Sequence, residues 1–209
     1  MKNSQTPESG TNDSPTVSTD SDENDDEGPS STVTNENNTT LGTVVGGSDV
    51  KDWNGLEKIL ENKTSIGDKT TVGNSTATAP IVLKLNQRNS TVPASTLKAL
   101  EASESLGLHL MMGNGAAITI ANGAGLKNQP AINLSNKVET TRNSKTISFA
   151  SNTKLNALVA LHMSVPKNVK EVKLYYYING HAYFLGTLTP LNGQVLFPIS
   201  QLGIYKLVY

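Results

Sequence analysis

The first 49 residues carry no periodic apolar pattern. They are mostly Ser, Thr, Asn, Asp, Glu and Gly, with scattered Val, a single Leu and no aromatic residue. A segment of this kind cannot bury enough surface to offset an ordering cost of about 1–2 kcal/mol per residue. The acidic run from Asp20 to Glu27 repels itself and extends the segment further. The pattern predicts a disordered tether over residues 1–49.

From Asp52 onward the spacing becomes structured. Trp53, Leu56 and Leu60 fall on one helical face, with Asp52 placed to cap a short helix. Residues 63–79 are polar and read as a loop. Ile81–Leu85 reads as a mostly buried strand. Pro93 suits the first position of a second helix, whose Leu97 and Leu100 share a face up to about Ser105. The stretch Leu106–Ile120 is apolar on both sides of Gly113-Asn114-Gly115, and Asn-Gly between apolar runs signals a hairpin.

Beyond residue 131 every periodic stretch has the strand period of two. Val159, Leu161, Met163 and Val165 alternate onto one face. Val172–Ile178 and His181–Leu188 flank Asn179-Gly180 as a second hairpin, and Asn192-Gly193 marks a third between Leu188–Pro190 and Val195–Phe197. Ile204–Tyr209 reads as a last strand. Short strands spaced by turn signals predict a sandwich-like unit. The fold class expected is α+β and β-dominated. Short helices pack on a sheet in a subdomain over 50–130, and an antiparallel sandwich-like β subdomain covers 131–209. One domain over 50–209 is the alternative division.

These residues also carry a resemblance. Trp-x-x-Leu-Glu-Lys-x-Leu (53–60), Val-Pro-Ala-Ser-Thr-Leu-Lys-Ala-Leu (92–100) and Leu-x-Leu-Met-Met-Gly-Asn-Gly-x-x-Ile-Thr-Ile (108–120) are followed by Val-Lys-Leu-Tyr-Tyr-Tyr-Ile-Asn-Gly-x-x-Tyr-Phe-Leu (172–185), Leu-Asn-Gly-Gln-Val-Leu-Phe (191–197) and Tyr-Lys-Leu-Val (205–208). The series resembles a module that recurs in surface-exposed and cell-wall-associated proteins of Gram-positive gut bacteria of the clostridial group. The resemblance spans about 50–209. It implies a cell-surface setting and brings no catalytic residues with it. Residues 63–79 depart from it in being longer and more polar.

Charge divides the chain. Residues 1–50 hold ten acids and one base, whereas residues 51–209 hold sixteen bases and eight acids. The basic body favours polyanions, but its bases are scattered and no nucleic-acid-binding motif is present, so a nucleic-acid partner is not expected. The chain has no Cys, which excludes a disulfide framework and Cys-ligated metal. No apolar run approaches the roughly 20 residues that a membrane-spanning helix needs. Met1-Lys2-Asn3-Ser4 opens without an apolar signal region. Taken literally this means a cytoplasmic protein; a long polar tether before a Cys-free body instead suggests an exported protein whose signal was trimmed. The expected location is extracellular, at the cell surface, with a membrane involved only through a lipid anchor lost from the N-terminus.

Motifs for catalysis are missing. Gly123-Ala124-Gly125 lacks the third Gly of a dinucleotide fingerprint, since position 128 is Asn. His109, His162 and His181 are far apart in sequence without carboxylates at metal-motif spacing, and each reads as a surface or partly buried strand residue. Glu101 and Glu104 sit in one solvated row, not as a glycosidase pair. The expectation is a non-enzyme with no cofactor and no metal.

Eight of the ten aromatic residues fall within 175–209. Folding 172–188 about Asn179-Gly180 pairs Ile178 with His181, Tyr176 with Tyr183 and Leu174 with Leu185, on the face assigned to the core. The other face then carries Lys173, Tyr175, Tyr177, Ala182 and Phe184, with Tyr175 across from Phe184. An aromatic ladder beside a Lys has the composition of a sugar-stacking platform or a docking patch. A second layer covering this face is the competing expectation, because cross-strand aromatic pairs are common in buried sheets. The candidate ligand residues are Tyr175, Tyr177, Phe184 and Lys173. The partner expected is a polysaccharide, a cell-wall polymer or a surface protein. The alternative function is a structural spacer or protein–protein assembly module.

Overall fold

The computed structural model describes residues 40–47, 49–61, 69–72, 75–86 and 91–209, with 69–72 and 75–78 described through their backbone alone. Residues 1–39, most of the expected tether, lie outside the described residues.

In chain order the elements are β1 (Gly42–Val44), β2 (Asp49–Val50), α1 (Trp53–Glu61), β3 (Lys69–Val72), β4 (Ser75–Thr78), β5 (Ile81–Leu85), β6 (Thr91–Val92), α2 (Ala94–Ala102), β7 (Gly107–Met111) and β8 (Ala116–Ala121). A 3-10 turn at Ala124–Asn128 leads to β9 (Ile132–Asn133), β10 (Asn136–Thr140), β11 (Ser144–Phe149), β12 (Lys154–Ser164), β13 (Val172–Ile178), β14 (His181–Leu188), β15 (Gln194–Gln201) and β16 (Ile204–Val208). The fold is α+β and β-dominated, as the periodicities predict.

A seven-stranded sheet runs in the order β15-β12-β8-β7-β5-β1-β2, and a five-stranded sheet in the order β10-β11-β16-β13-β14. The five-stranded sheet is antiparallel throughout. In the seven-stranded sheet β5 and β7 are parallel, joined through α2, since a parallel pair needs a long crossover connection. Strands from both sides of residue 130 meet in this sheet, because β12 pairs with β8. The two subdomains drawn at that boundary therefore share one sheet and one apolar cluster.

Period-two burial explains the layers. Leu155, Ala157, Val159, Leu161 and Met163 of β12 and Val195, Phe197 and Ile199 of β15 are buried, whereas Leu158 and Leu196 between them are exposed. The five-stranded sheet supplies Ile147, Phe149, Val172, Leu174, Tyr176, Tyr205 and Leu207 to the same cluster, and the Phe197 and Tyr205 rings meet at 5.7 Å across the two sheets. Leu56 and Leu60 of α1 and Leu97 and Leu100 of α2 complete it. Asp52 caps α1 as expected, its Oδ1 accepting from the Gly55 amide at 2.8 Å.

Four expectations need correction. The tether cannot extend to residue 49: Gly42–Val44 pairs with β5 and with β2, and Leu41 and Val44 are buried. Gly42 lies so close to the Lys84 carbonyl that a Cβ would collide with it. Second, residues 69–72 and 75–78 of the expected loop pair as the antiparallel strands β3 and β4; residues 62–68, 73 and 74 lie outside the described residues. Third, Asn114-Gly115 is no two-residue turn. Met112 N donates to Ala116 O at 3.0 Å, which closes a three-residue loop with positive φ at Gly113 and Gly115. Asn179-Gly180 and Asn192-Gly193 do have both residues at positive φ, the type I′ geometry. The latter links strands of different sheets, so it does not join a β14–β15 hairpin. Fourth, Leu174 pairs with Gly186 and not with Leu185, through a bulge beyond the Tyr175–Phe184 pair.

Candidate functional site

β11, β16 and β13 of the five-stranded sheet turn one face to the core. β14 and the turn end of β13 overhang the core, so Ile178, Tyr183 and Leu185, expected on the core face, are 42%, 50% and 53% exposed, and His181 is exposed as well. No helix or strand lies over the other face among the described residues. Cross-strand register arranges this second face in rows. One row runs Glu139, Thr146, Lys206, Tyr175, Phe184 from β10 to β14. The next runs Lys137, Ser148, Ile204, Tyr177, Ala182. On the other side Ser144, Val208, Lys173 and Thr187 follow one another. All four candidate residues therefore share one face, and among the described residues no second layer of the kind the competing expectation required lies over it.

Their exposure is graded. Phe184 is 56% exposed, on the edge strand. Lys173 is exposed, and Tyr175 and Tyr177 are half-buried between their neighbours. The rings of Tyr175 and Phe184 lie 5.5 Å apart, tilted by 55°, a stable aromatic geometry. Tyr177 stands two residues along the strand from Tyr175, a rise of about 6.6–6.8 Å. The alternation of β13 fixes this arrangement: Val172, Leu174 and Tyr176 are buried, which forces Lys173, Tyr175 and Tyr177 outward. Tyr176 is core. Gln201 Nε2 donates to its hydroxyl, and that hydroxyl donates to Leu202 O. Burial, with the neighbouring Tyr176 adding to it, pushes the Tyr205 phenol far above its ordinary pKa.

Two residues of this face were not foreseen. Lys206 lies directly across from Tyr175, and Ile204, 39% exposed, lies across from Tyr177. Both come from β16, which inserts between β11 and β13. Their alternation with buried Tyr205 and Leu207 is visible in the sequence, but the strand order that brings them to Tyr175 is not. Lys173 and Lys206 form no ion pair among the described residues, whereas Lys137 is held by Glu139 at 2.7 Å in solvent near the far edge. That pairing raises the Lys137 pKa and lowers that of Glu139. Glu139 lies three strands from Tyr175, about 14 Å at ordinary strand spacing. Among the described residues the face thus offers aromatic surfaces and the unpaired Lys173 and Lys206, with no carboxylate paired across from the rings.

Elsewhere two polar groups are unusual. Lys145, on the core side of β11, is 6% exposed and has no acidic partner among the described residues. Its ammonium donates to Ser164 Oγ at 2.7 Å, Ser164 O at 3.1 Å and Gly115 O at 3.3 Å, and burial lowers its pKa. His181 sits exposed beside the Asn179-Gly180 turn. His109 and His162, by contrast, are brought together on the seven-stranded sheet. Burial lowers the pKa of both, and His109 lowers that of His162 further.

Among known proteins, no family model, no curated protein and no solved structure matches this chain significantly.

Proposed function

We propose that the chain is a non-catalytic cell-surface module whose five-stranded sheet binds a glycan of the cell envelope through its open face. The observation that carries this reading is the row Lys206–Tyr175–Phe184 with Lys173 and Tyr177 beside it. Aromatic faces stack on the apolar faces of sugar rings, and the two unpaired ammonium groups select for anionic substituents such as phosphate or carboxylate. The face is flat, with few converging polar groups, so a single site binds weakly and repeated copies on a surface gain by avidity. The resemblance to clostridial surface modules agrees with this setting.

The test is a pull-down of the full chain on purified cell wall and on neutral and anionic insoluble polysaccharides. Phe184→Ala removes an exposed ring and Tyr177→Ala a half-buried one; Lys173→Gln with Lys206→Gln removes the cations. The expected result is retention on anionic polymer that falls with added salt and is lost in the ring variants while their melting curves hold. Equal retention of wild type and all variants overturns the reading.

A second reading, an assembly module, is favoured by the free edge of the same sheet. The other edges are guarded. β2 is two residues long, β15 carries Pro198, and β10 carries the Lys137–Glu139 pair. The β14 edge carries no Lys, Arg, Asp, Glu or Pro, and Tyr183 and Leu185 on it are 50% and 53% exposed. Concentration-dependent association abolished by Leu185→Lys distinguishes this reading from glycan binding.

A further inference from the structure

The outward face of the seven-stranded sheet holds a second cluster, unrelated to the aromatic face. Its register places His109 opposite Thr119, and Met111 opposite Ala117, which in turn faces His162. Ala117 and Ala160 are the neighbours between the two histidines on this face, and their small side chains let both imidazoles lean across β8. The ring centroids come to 4.8 Å, nearly perpendicular at 85°. The Thr119 hydroxyl lies between them, 2.7 Å from His109 Nδ1 and 2.8 Å from His162 Nε2. A cavity of about 260 Å³ adjoins the pair, with Met111, Ser164 and Gln194 among its walls.

Two imidazole nitrogens from strands that are not sequence neighbours therefore converge on a single point, which a hydroxyl oxygen occupies. We propose that His109 and His162 form a binding site for a late first-row transition-metal ion, held by Nδ1 of His109 and Nε2 of His162. Zinc–imidazole bonds are about 2.0–2.1 Å, so each ring closes by roughly 0.7 Å on the position of the oxygen, within reach of small χ rotations. One hydroxyl proton cannot serve both nitrogens, so at least one ring donates an N–H to Thr119; ligation moves that proton to the ring's other nitrogen. The Thr119 hydroxyl rotates away or stays as a weak third ligand.

The donor set defines the class of ion. Neutral imidazole suits Zn²⁺, Ni²⁺ and Cu²⁺, whereas Mg²⁺ and Ca²⁺ require oxygen ligands. Among the described residues no group of three or more His, Asp or Glu side chains is gathered to hold an ion. Water fills the remaining positions, and the Met111 thioether, 40% exposed on the same face, is within the same cavity. The expected order of affinity is Cu²⁺ above Ni²⁺ and Zn²⁺.

The experiment titrates the untagged full chain with Zn²⁺, Ni²⁺, Cu²⁺ and Mg²⁺ by calorimetry, and with Zn²⁺ by NMR of the imidazole resonances. Expected is one saturable equivalent for the first three ions and none for Mg²⁺, with His109 and His162 resonances shifting together and His181 unmoved. His109→Gln and His162→Gln each weaken binding at least ten-fold. His181→Gln does not, and Thr119→Val keeps or tightens it because the competing hydroxyl is gone. The inference is overturned by no saturable binding, by binding that survives both histidine substitutions, or by a Zn²⁺ titration that shifts only His181. The wild-type NMR titration decides the matter even where a variant fails to fold.

Discussion

Gly113 and Gly115 sit in the same loop between β7 and β8, at φ +70° and +76°, and differ in what surrounds them. A Cβ on Gly113 meets nothing within 4 Å. A Cβ on Gly115 lies 2.7 Å from Ser164 Oγ and 2.8 Å from Lys145 Nζ. Alanine at either position incurs the left-handed backbone cost of about 1–2 kcal/mol. At Gly115 the methyl also displaces an almost fully buried ammonium from its three acceptors. Hydrogen bonds to charged groups contribute about 1.5–3 kcal/mol each, and a shift that spoils even one adds that amount. The expected losses are therefore about 1–2 kcal/mol for Gly113→Ala and about 2.5–5 kcal/mol for Gly115→Ala. Urea denaturation of both variants measures the difference, with an unchanged m-value confirming that stability alone moved. The same substitution made in a Lys145→Met, Ser164→Ala background removes the crowding, and the cost of Gly115→Ala should fall there toward that of Gly113→Ala. Equal losses for the two alanines in the wild-type background, within about 0.5 kcal/mol, would refute the cradle.

Two further outcomes follow from the same structure. Burial depresses the Lys145 pKa below its ordinary value of 10.5 in the folded state, so the unfolded chain binds the proton more tightly. Stability relative to Lys145→Met should then rise with pH between the depressed folded value and 10.5; a difference curve flat across the alkaline range contradicts this. A chain beginning at Gly46 loses buried Leu41 and Val44 together with the β1 pairing to β5. At about 1.5–3 kcal/mol per aliphatic side chain it should unfold about 3–6 kcal/mol more easily, and an unchanged denaturation midpoint would show β1 to be dispensable.

Local signals in the sequence located most elements, because burial alternates with a period that the residue order displays directly. The Val172/Leu174/Tyr176 face, the Asp52 cap and the Tyr175–Phe184 pairing were all legible for this reason. Short pieces were not. Leu41 and Val44 frame only three strand residues, and a two-residue apolar pattern within a polar segment carries no period. The bulge between Leu174 and Tyr175, which leaves Leu185 unpaired, was equally invisible, since no turn residue or change of period marks it. Sites assembled across strands were the least legible. Lys206 reaches Tyr175, and His162 reaches His109, only through strand orders that no local signal encodes. Lys145 misleads most: it occupies the first inward position of β11, two residues before Ile147, where alternation alone calls for an apolar residue.

The position of β16 bears on how the molecule is made. The five-stranded sheet is laid out as β10-β11-β16-β13-β14, so the last of its five strands to be synthesised lies at its middle. Until residues 204–208 have emerged, β10–β11 and β13–β14 are two separate hairpins with no strand between them to join their hydrogen-bond ladders, each marginal alone. The aromatic row is likewise incomplete until Lys206 arrives beside Tyr175. Assembly of this layer must therefore wait for the last strand, and a nascent chain remains unable to close it early. Such contacts between distant segments also slow folding. With this wiring the outward face of the five-stranded sheet is completed only when β16 is inserted.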